Sequence, residues 1–214
     1  MLLKRSDWTY TGGTEKKTEG RRFCMANLKT RRMVMAALLA ALTTAATMVI
    51  RIPTPTLGYI HLGDGMVLIC GILLGPGLGA AAAGIGSMLA DLFGGYTAWV
   101  PGTFVIKALT ALVGGCLYRL CRKRAHISTP LGVLLCGLPA EAVMVSGYFL
   151  YEVGMMVLAG SSLAAAAAAV LAGVPFNVVQ GLTGVVVCVV LLPVLSHAEA
   201  RAGLSTDGRK RHRC

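Results

Sequence analysis

Residues 61–107 read HLGDGMVLICGILLGPGLGAAAAGIGSMLADLFGGYTAWVPGTFVIK. Glycine, alanine and aliphatic side chains dominate. Four charge-bearing groups, His61, Asp64, Asp91 and Lys107, stand at the ends of, or inside, segments suited to lipid. A charge is costly at that depth, so each marks a candidate functional position.

The rest of the chain agrees with a membrane reading. Of 214 residues, 56% are hydrophobic and only 14% charged, against about a quarter charged in ordinary soluble domains. Mean hydropathy is +0.72, and the apolar residues fall in long runs. The formal charge of +11 does not point to nucleic acid. Nine of the 20 lysines and arginines lie in residues 1–32, four in 119–124 and five in 201–213. Only Arg51 and Lys107 lie elsewhere. Basic loops gathered in this way belong on one membrane side. They form no folded basic surface with interleaved aromatics on which bases could stack. The seven cysteines show neither C-x-x-C nor ligand spacing, so neither disulfides nor a metal site is indicated, and no cofactor is expected.

This defines an all-α integral membrane protein: a six-transmembrane-helix bundle with N and C termini cytoplasmic. Residues 1–32 read as a disordered basic cytoplasmic leader, 33–195 as the six-helix membrane domain and 196–214 as a basic cytoplasmic tail. The first helix is expected over Met33–Ile52, ended by Pro53 and Pro55. The second runs from Leu62 to Leu74, and the third from the Gly75-Pro76-Gly77 turn to Phe93. The fourth spans Thr103–Leu120, the fifth Leu131–Leu158 with Pro139 inside it, and the sixth Ala164–Leu195, interrupted by Pro175. Loops 53–61, 94–101 and 159–163 then face outside and carry no Lys or Arg. The first helix carries two overlapping small-xxx-small patterns, Ala36/Ala40 and Ala37/Ala41. They suit close helix approach, either within the bundle or against another membrane subunit.

Polar groups recur toward the outward ends. His61 and Asp64 share a face, as do Ser87 and Asp91. Lys107 lies about 6–12 Å below the outer surface at about 1.5 Å per residue. Glu141, Tyr148 and Glu152 line one face of the fifth helix, and Asn177 and Gln180 flank the Pro175 break. Tyr96 and Trp99 stand at the interface. Lys107 has Asp91 and Glu141 as candidate partners, while His61 and Glu152 are close enough to the surface to be solvated. Converging donors, acceptors and aromatics suit a small polar ring compound. There is no H-E-x-x-H, G-x-S-x-G or Walker A pattern, so neither hydrolysis nor ATP use is expected of this chain.

Several motifs resemble one family. G-Y-I-H-L-G-D at 58–64, L-L-G-P-x-x-G-A at 73–80, A-A-G-I-G-S-x-L-A-D-L-F-G-G-Y at 82–96, P-G-T-F-V-I-K-A-L at 101–109 and P-F-N-V-V-Q at 175–180 resemble the substrate-binding S components of energy-coupling factor (ECF) vitamin transporters. The resemblance implies a prokaryotic plasma-membrane protein that captures a water-soluble vitamin or precursor from outside. It also implies partnership with an ECF transmembrane coupling subunit and two cytoplasmic ATPases. By position, the substrate site maps onto Tyr59, His61, Asp64, Tyr96, Lys107, Glu141, Tyr148, Asn177 and Gln180, and the docking face onto Ala36, Ala37, Ala40 and Ala41. The branch that binds hydroxymethylpyrimidine or pyridoxine-type rings looks nearest; flavin, thiamine, pantothenate and queuosine-precursor binders share the architecture. Two other classes fit the residues: an ion-coupled carrier using Glu141, and a ligand-free assembly protein whose polar groups pair only with one another.

Overall fold

The computed structural model describes residues 12–49, 51–53, 59–124 and 128–201; side chains are described within these from Lys29 onward, except at 52–53, 59–60, 124 and 199–200. The helices are α1 (Gly12–Val49), α2 (Gly63–Leu73), α3 (Pro76–Gly94), α4 (Val100–Arg124), α5 (Thr129–Leu158), α6 (Leu163–Leu171) and α7 (Val174–Arg201). Two three-residue strands, β1 (Arg51–Pro53) and β2 (Tyr59–His61), pair antiparallel between α1 and α2, with Arg51 opposite His61. The turn expected after the first helix is therefore a small ribbon. Its strands carry Ile52, Tyr59 and Ile60, residues that suit extended backbone.

Five helices, at 29–49, 76–94, 100–123, 129–158 and 174–198, are long and apolar enough to cross a membrane. Of the six expected spans, the second is the short helix α2. Its 11 residues cover about 16 Å at about 1.5 Å each, short of the roughly 30 Å hydrocarbon core. The expected sixth helix is two. The chain breaks at Ala172–Gly173, and Pro175 sits in the first turn of α7, where its missing N–H is harmless. Pro139 lies inside α5 as expected, and Pro193 lies inside α7. The supposed disordered leader is helical from Gly12, continuous with the first span. Once a helix is nucleated, each further residue adds a hydrogen bond, so the apolar span can propagate upstream. Residues 1–11 and 202–214 lie outside the described residues.

The bundle is arranged around α2. Residues 63–71 of α2 are all buried, and the helix packs against α1, α3, α4 and α7. Glycine makes the α2–α4 crossing close: a Cβ on Gly71 would strike the Ala111 carbonyl, and one on Gly115 would strike the Gly71 carbonyl. The far end of α2 turns through Leu74–Gly75, where Arg32 donates to the Leu74 carbonyl at 3.3 Å and the Arg119 guanidinium lies against Gly75. Large apolar side chains such as Leu150, Leu158, Val186 and Val194 point outward, as lipid-facing residues do.

On α1, Ala36 is buried and Ala40 half-buried, whereas Ala37 and Ala41 are exposed. Ala40 faces α3: a Cβ on Gly86 would meet the Ala40 carbonyl at 2.5 Å, and Thr44 donates to the Gly86 carbonyl at 2.8 Å. The Ala36/Ala40 pattern is thus used inside the bundle. The other pattern, one residue on and rotated by 100°, remains at the surface together with Ala45.

Candidate functional site

The recessed start of α2 sets the geometry of the polar cluster. Asp64, in the first turn of α2, lies level with Lys107, seven residues into α4, and both are fully buried. Lys107 donates its ammonium to Asp64 Oδ1. Gln180 Nε2 donates to Asp64 Oδ2 at 2.6 Å. The Gln180 carbonyl oxygen accepts the His61 backbone N–H at 3.1 Å. One chain of bonds therefore runs from α4 through α2 and α7 to β2. The expected alternatives for Lys107, Asp91 and Glu141, are not its ion-pair partners. Asp91 sits nearer the α3 terminus, where its carbonyl accepts from Tyr96 N.

His61 is buried rather than solvated. Its Nδ1 accepts the Gly63 N–H at 3.0 Å. Burial and the neighbouring Lys107 charge push its pKa from 6.5 down to about 3, so the ring is neutral at physiological pH. The ribbon is also held on its other side: Arg51, on β1, donates to the Ala90 carbonyl of α3 at 3.0 Å.

Tyr148 lies beneath Lys107, with the ammonium 5.1 Å from the ring centroid. Its hydroxyl and Thr103 Oγ1 are 3.1 Å apart. Trp99 packs on the cluster formed by Ile106, Met144 and Tyr148, and Tyr96 meets Trp99 edge-on at 6.1 Å. Trp99 is thus more than an interfacial aromatic. Glu152, expected near water, is also buried.

Glu141 differs from the others. Only 4% of it is exposed, and neither carboxylate oxygen has a hydrogen-bond partner among the described residues. It faces α7 at Gly181, where a Cβ would stand 3.0 Å from Glu141 Cβ and 3.3 Å from Oε2. One turn further, a Cβ on Gly184 would stand 2.6 Å from Asp64 Cβ. These two glycines give α7 room beside two carboxylates. Sequence reasoning missed them, although Asn177, Gln180, Gly181 and Gly184 follow the i, i+3, i+4, i+7 spacing of one helix face. Thr47 Oγ1 and Ser87 Oγ are further buried polar atoms with no partner among the described residues.

His61, Asp64, Lys107, Glu141, Tyr148 and Gln180 therefore converge in the half of the bundle nearest the ribbon. Asn177 is half-buried on the same face of α7 as Gln180. Tyr96 connects through Trp99. Tyr59 is placed by its backbone in β2, and its side chain lies outside the described residues. No group of three or more potential metal ligands occurs among the described residues.

An apolar exterior around a buried polar cluster defines a membrane-embedded helical bundle. The family model for the ECF-type riboflavin transporter S component matches residues 27–197, and the chain belongs to that family. Its members are substrate-binding components of transporters. A Pyrococcus woesei protein described as an uncharacterized protein in a gap 3′ region is 39% identical over 106 residues, which span 49% of this chain and 67% of that one. A solved structure, described as the structure and mechanism of the S component of a bacterial ECF transporter, superposes with a TM-score of 0.59. That match covers 79% of this chain and 98% of the other at 21% identity, a likeness of fold.

Proposed function

We propose that this protein is the substrate-capture subunit of an ATP-driven importer and takes a water-soluble vitamin or precursor built on a nitrogen heterocycle. Family membership supports the class. The observation that supports capture at this site is Glu141, a buried carboxylate with both oxygens unpartnered among the described residues. Such a group is costly to maintain unless a ligand or a proton completes it. The family description names riboflavin, and the motifs favour hydroxymethylpyrimidine or pyridoxine-type rings. Both are heterocycles with polar edges.

The basic termini and the 119–124 segment support a cytoplasmic position for both ends of the bundle, with the ribbon and its polar cluster facing outside. ATP hydrolysis belongs to two partner ATPases, coupled through a membrane subunit. The exposed small-residue face at Ala37 and Ala41 is the surface offered to that subunit.

The test is a thermal-shift panel on the detergent-purified chain alone, with riboflavin, hydroxymethylpyrimidine, pyridoxine, thiamine and pantothenate. A ligand that binds only the folded state raises the unfolding temperature by mass action. A shift with one compound supports solitary capture, and no shift with any would overturn it. The unpaired Glu141 also fits an ion-coupled carrier, in which case uptake in proteoliposomes would proceed without any ATPase and stop in Glu141→Gln.

A further inference from the structure

We propose that Cys121 and Cys136 form a redox site: a dithiol that a low-molecular-weight disulfide such as glutathione disulfide oxidises to a covalent bond between α4 and α5.

Cys121 stands in the last turn of α4, and Cys136 lies in the first half of α5. They are 15 positions apart in the chain, so no spacing motif announces the pair. In the fold their sulfurs are 3.4 Å apart, with the Cys136 thiol donating to Cys121. A disulfide bond is about 2.05 Å long, so only a short further approach is needed. The helices are already held together beside the thiols. A Cβ on Gly132, one turn before Cys136, would meet the Tyr118 ring at 3.1 Å, and one on Gly114 would meet Ala140 Cβ at 3.3 Å.

The two sulfurs differ in access. Cys136 is 1% exposed. Cys121 is half-buried and is followed by the exposed Arg122 and Lys123, at the end of the bundle away from the ribbon. A disulfide in water therefore reaches Cys121 first, and Cys136 is placed to resolve the product. Cys70 and Cys188 are buried and serve as small apolar side chains.

The step is thiol–disulfide exchange. The Cys121 thiolate attacks one sulfur of glutathione disulfide. The glutathione S–S bond breaks, and the departing glutathione takes up the proton that Cys121 lost. Cys136 then gives up its proton and attacks the Cys121 sulfur of the mixed disulfide. That bond breaks, and a second glutathione leaves with the Cys136 proton. Two cysteine thiols are oxidised, and one small disulfide is reduced to two thiols. The second attack joins groups already in contact, which favours it over attack by a thiol from solution. Thiols on the side read above as cytoplasmic are kept reduced, so the bond forms when the small-thiol pool becomes oxidised. Lys107 is on α4 and Glu141 on α5, so the cross-link restrains from the far end the two helices that bring these residues together.

The test treats the full chain in detergent with excess glutathione disulfide, alkylates the remaining thiols and maps unreduced peptides by mass spectrometry. The expected product is a peptide pair joined through Cys121 and Cys136 that dithiothreitol separates. Cys136→Ala should stop the reaction at a glutathione adduct on Cys121, and Cys121→Ala should leave Cys136 unmodified. Oxidation should raise the unfolding temperature of the parent chain and of neither variant, as a bond that constrains the unfolded chain does. A glutathione adduct that persists on Cys121 of the parent while Cys136 stays free overturns the proposal, and so does the absence of any modification at both. The parent chain is mapped directly, so the decision does not depend on either variant folding.

Discussion

Lys107 gives its ammonium to Asp64, and Glu141, facing α7 at Gly181, keeps both oxygens unpaired among the described residues. The asymmetry follows from the recess of α2, which brings Asp64 level with Lys107. It separates two roles: a braced pair that holds three helices together, and a free carboxylate beside it.

Removing one member of the braced pair should therefore cost more than removing both. Lys107→Met leaves Asp64 buried and uncompensated, a loss of about 3–5 kcal/mol for a broken buried pair. In the double variant Asp64→Asn/Lys107→Met, the asparagine oxygen still accepts from Gln180. It should recover most of that stability. Unfolding in a mixed-detergent titration measures both. Equal losses in the single and double variants would contradict the bracing role.

The two alanine patterns of α1 should respond differently to bulk. Ala40→Trp would drive an indole into the contact with Gly86 and should destabilise the fold. Ala41→Trp projects from an exposed position and should preserve folding and ligand binding while preventing co-purification with the coupling subunit. An Ala41→Trp protein that still assembles would move the docking face elsewhere.

Stability should depend on pH through His61. Its pKa is about 3 in the fold against an ordinary 6.5. Between those values the unfolded chain holds a proton that the folded chain does not. The contribution is fully present above 6.5 and diminishes as pH falls toward 3, by at most about 1.4 kcal/mol per pH unit. His61→Asn keeps an acceptor for the Gly63 N–H and cannot titrate there. Its unfolding temperature should fall less than that of the parent protein between about pH 7 and about pH 5. Parallel slopes would assign the dependence to other groups.

Much of the polar cluster was legible because charged residues in apolar runs are conspicuous. His61, Asp64, Lys107 and Glu141 are ionisable residues that stand out in the sequence for that reason, Gln180 stands out as a polar group beside Pro175, and they do converge. The pairing within the cluster was not legible. Spacing along α4 shows the depth of Lys107 but not which neighbouring helix starts at that depth, and the short α2 decides it. The rotation of α1 was equally hidden, because Ala36/Ala40 and Ala37/Ala41 are one residue apart and offer the same signal on adjacent faces. The sequence points to Pro175, the more obvious breaker, as the break between α6 and α7. The chain instead parts at Ala172–Gly173, and the proline opens the next helix. In the sequence Gly181 and Gly184 look like ordinary members of an apolar run, since their importance lies in what a side chain there would displace.

The shortness of α2 has a consequence for how the protein meets its solvent. Protein encloses α2 along nearly its whole length, so bilayer thickness does not set its length. The surrounding long helices alone must match the hydrocarbon layer and absorb any mismatch by tilting. The helix that carries Asp64 follows instead the packing rules of a water-soluble core, in which volume and contact decide what is tolerated. A thicker or thinner bilayer should therefore strain the outer wall of the bundle before it disturbs the polar cluster inside.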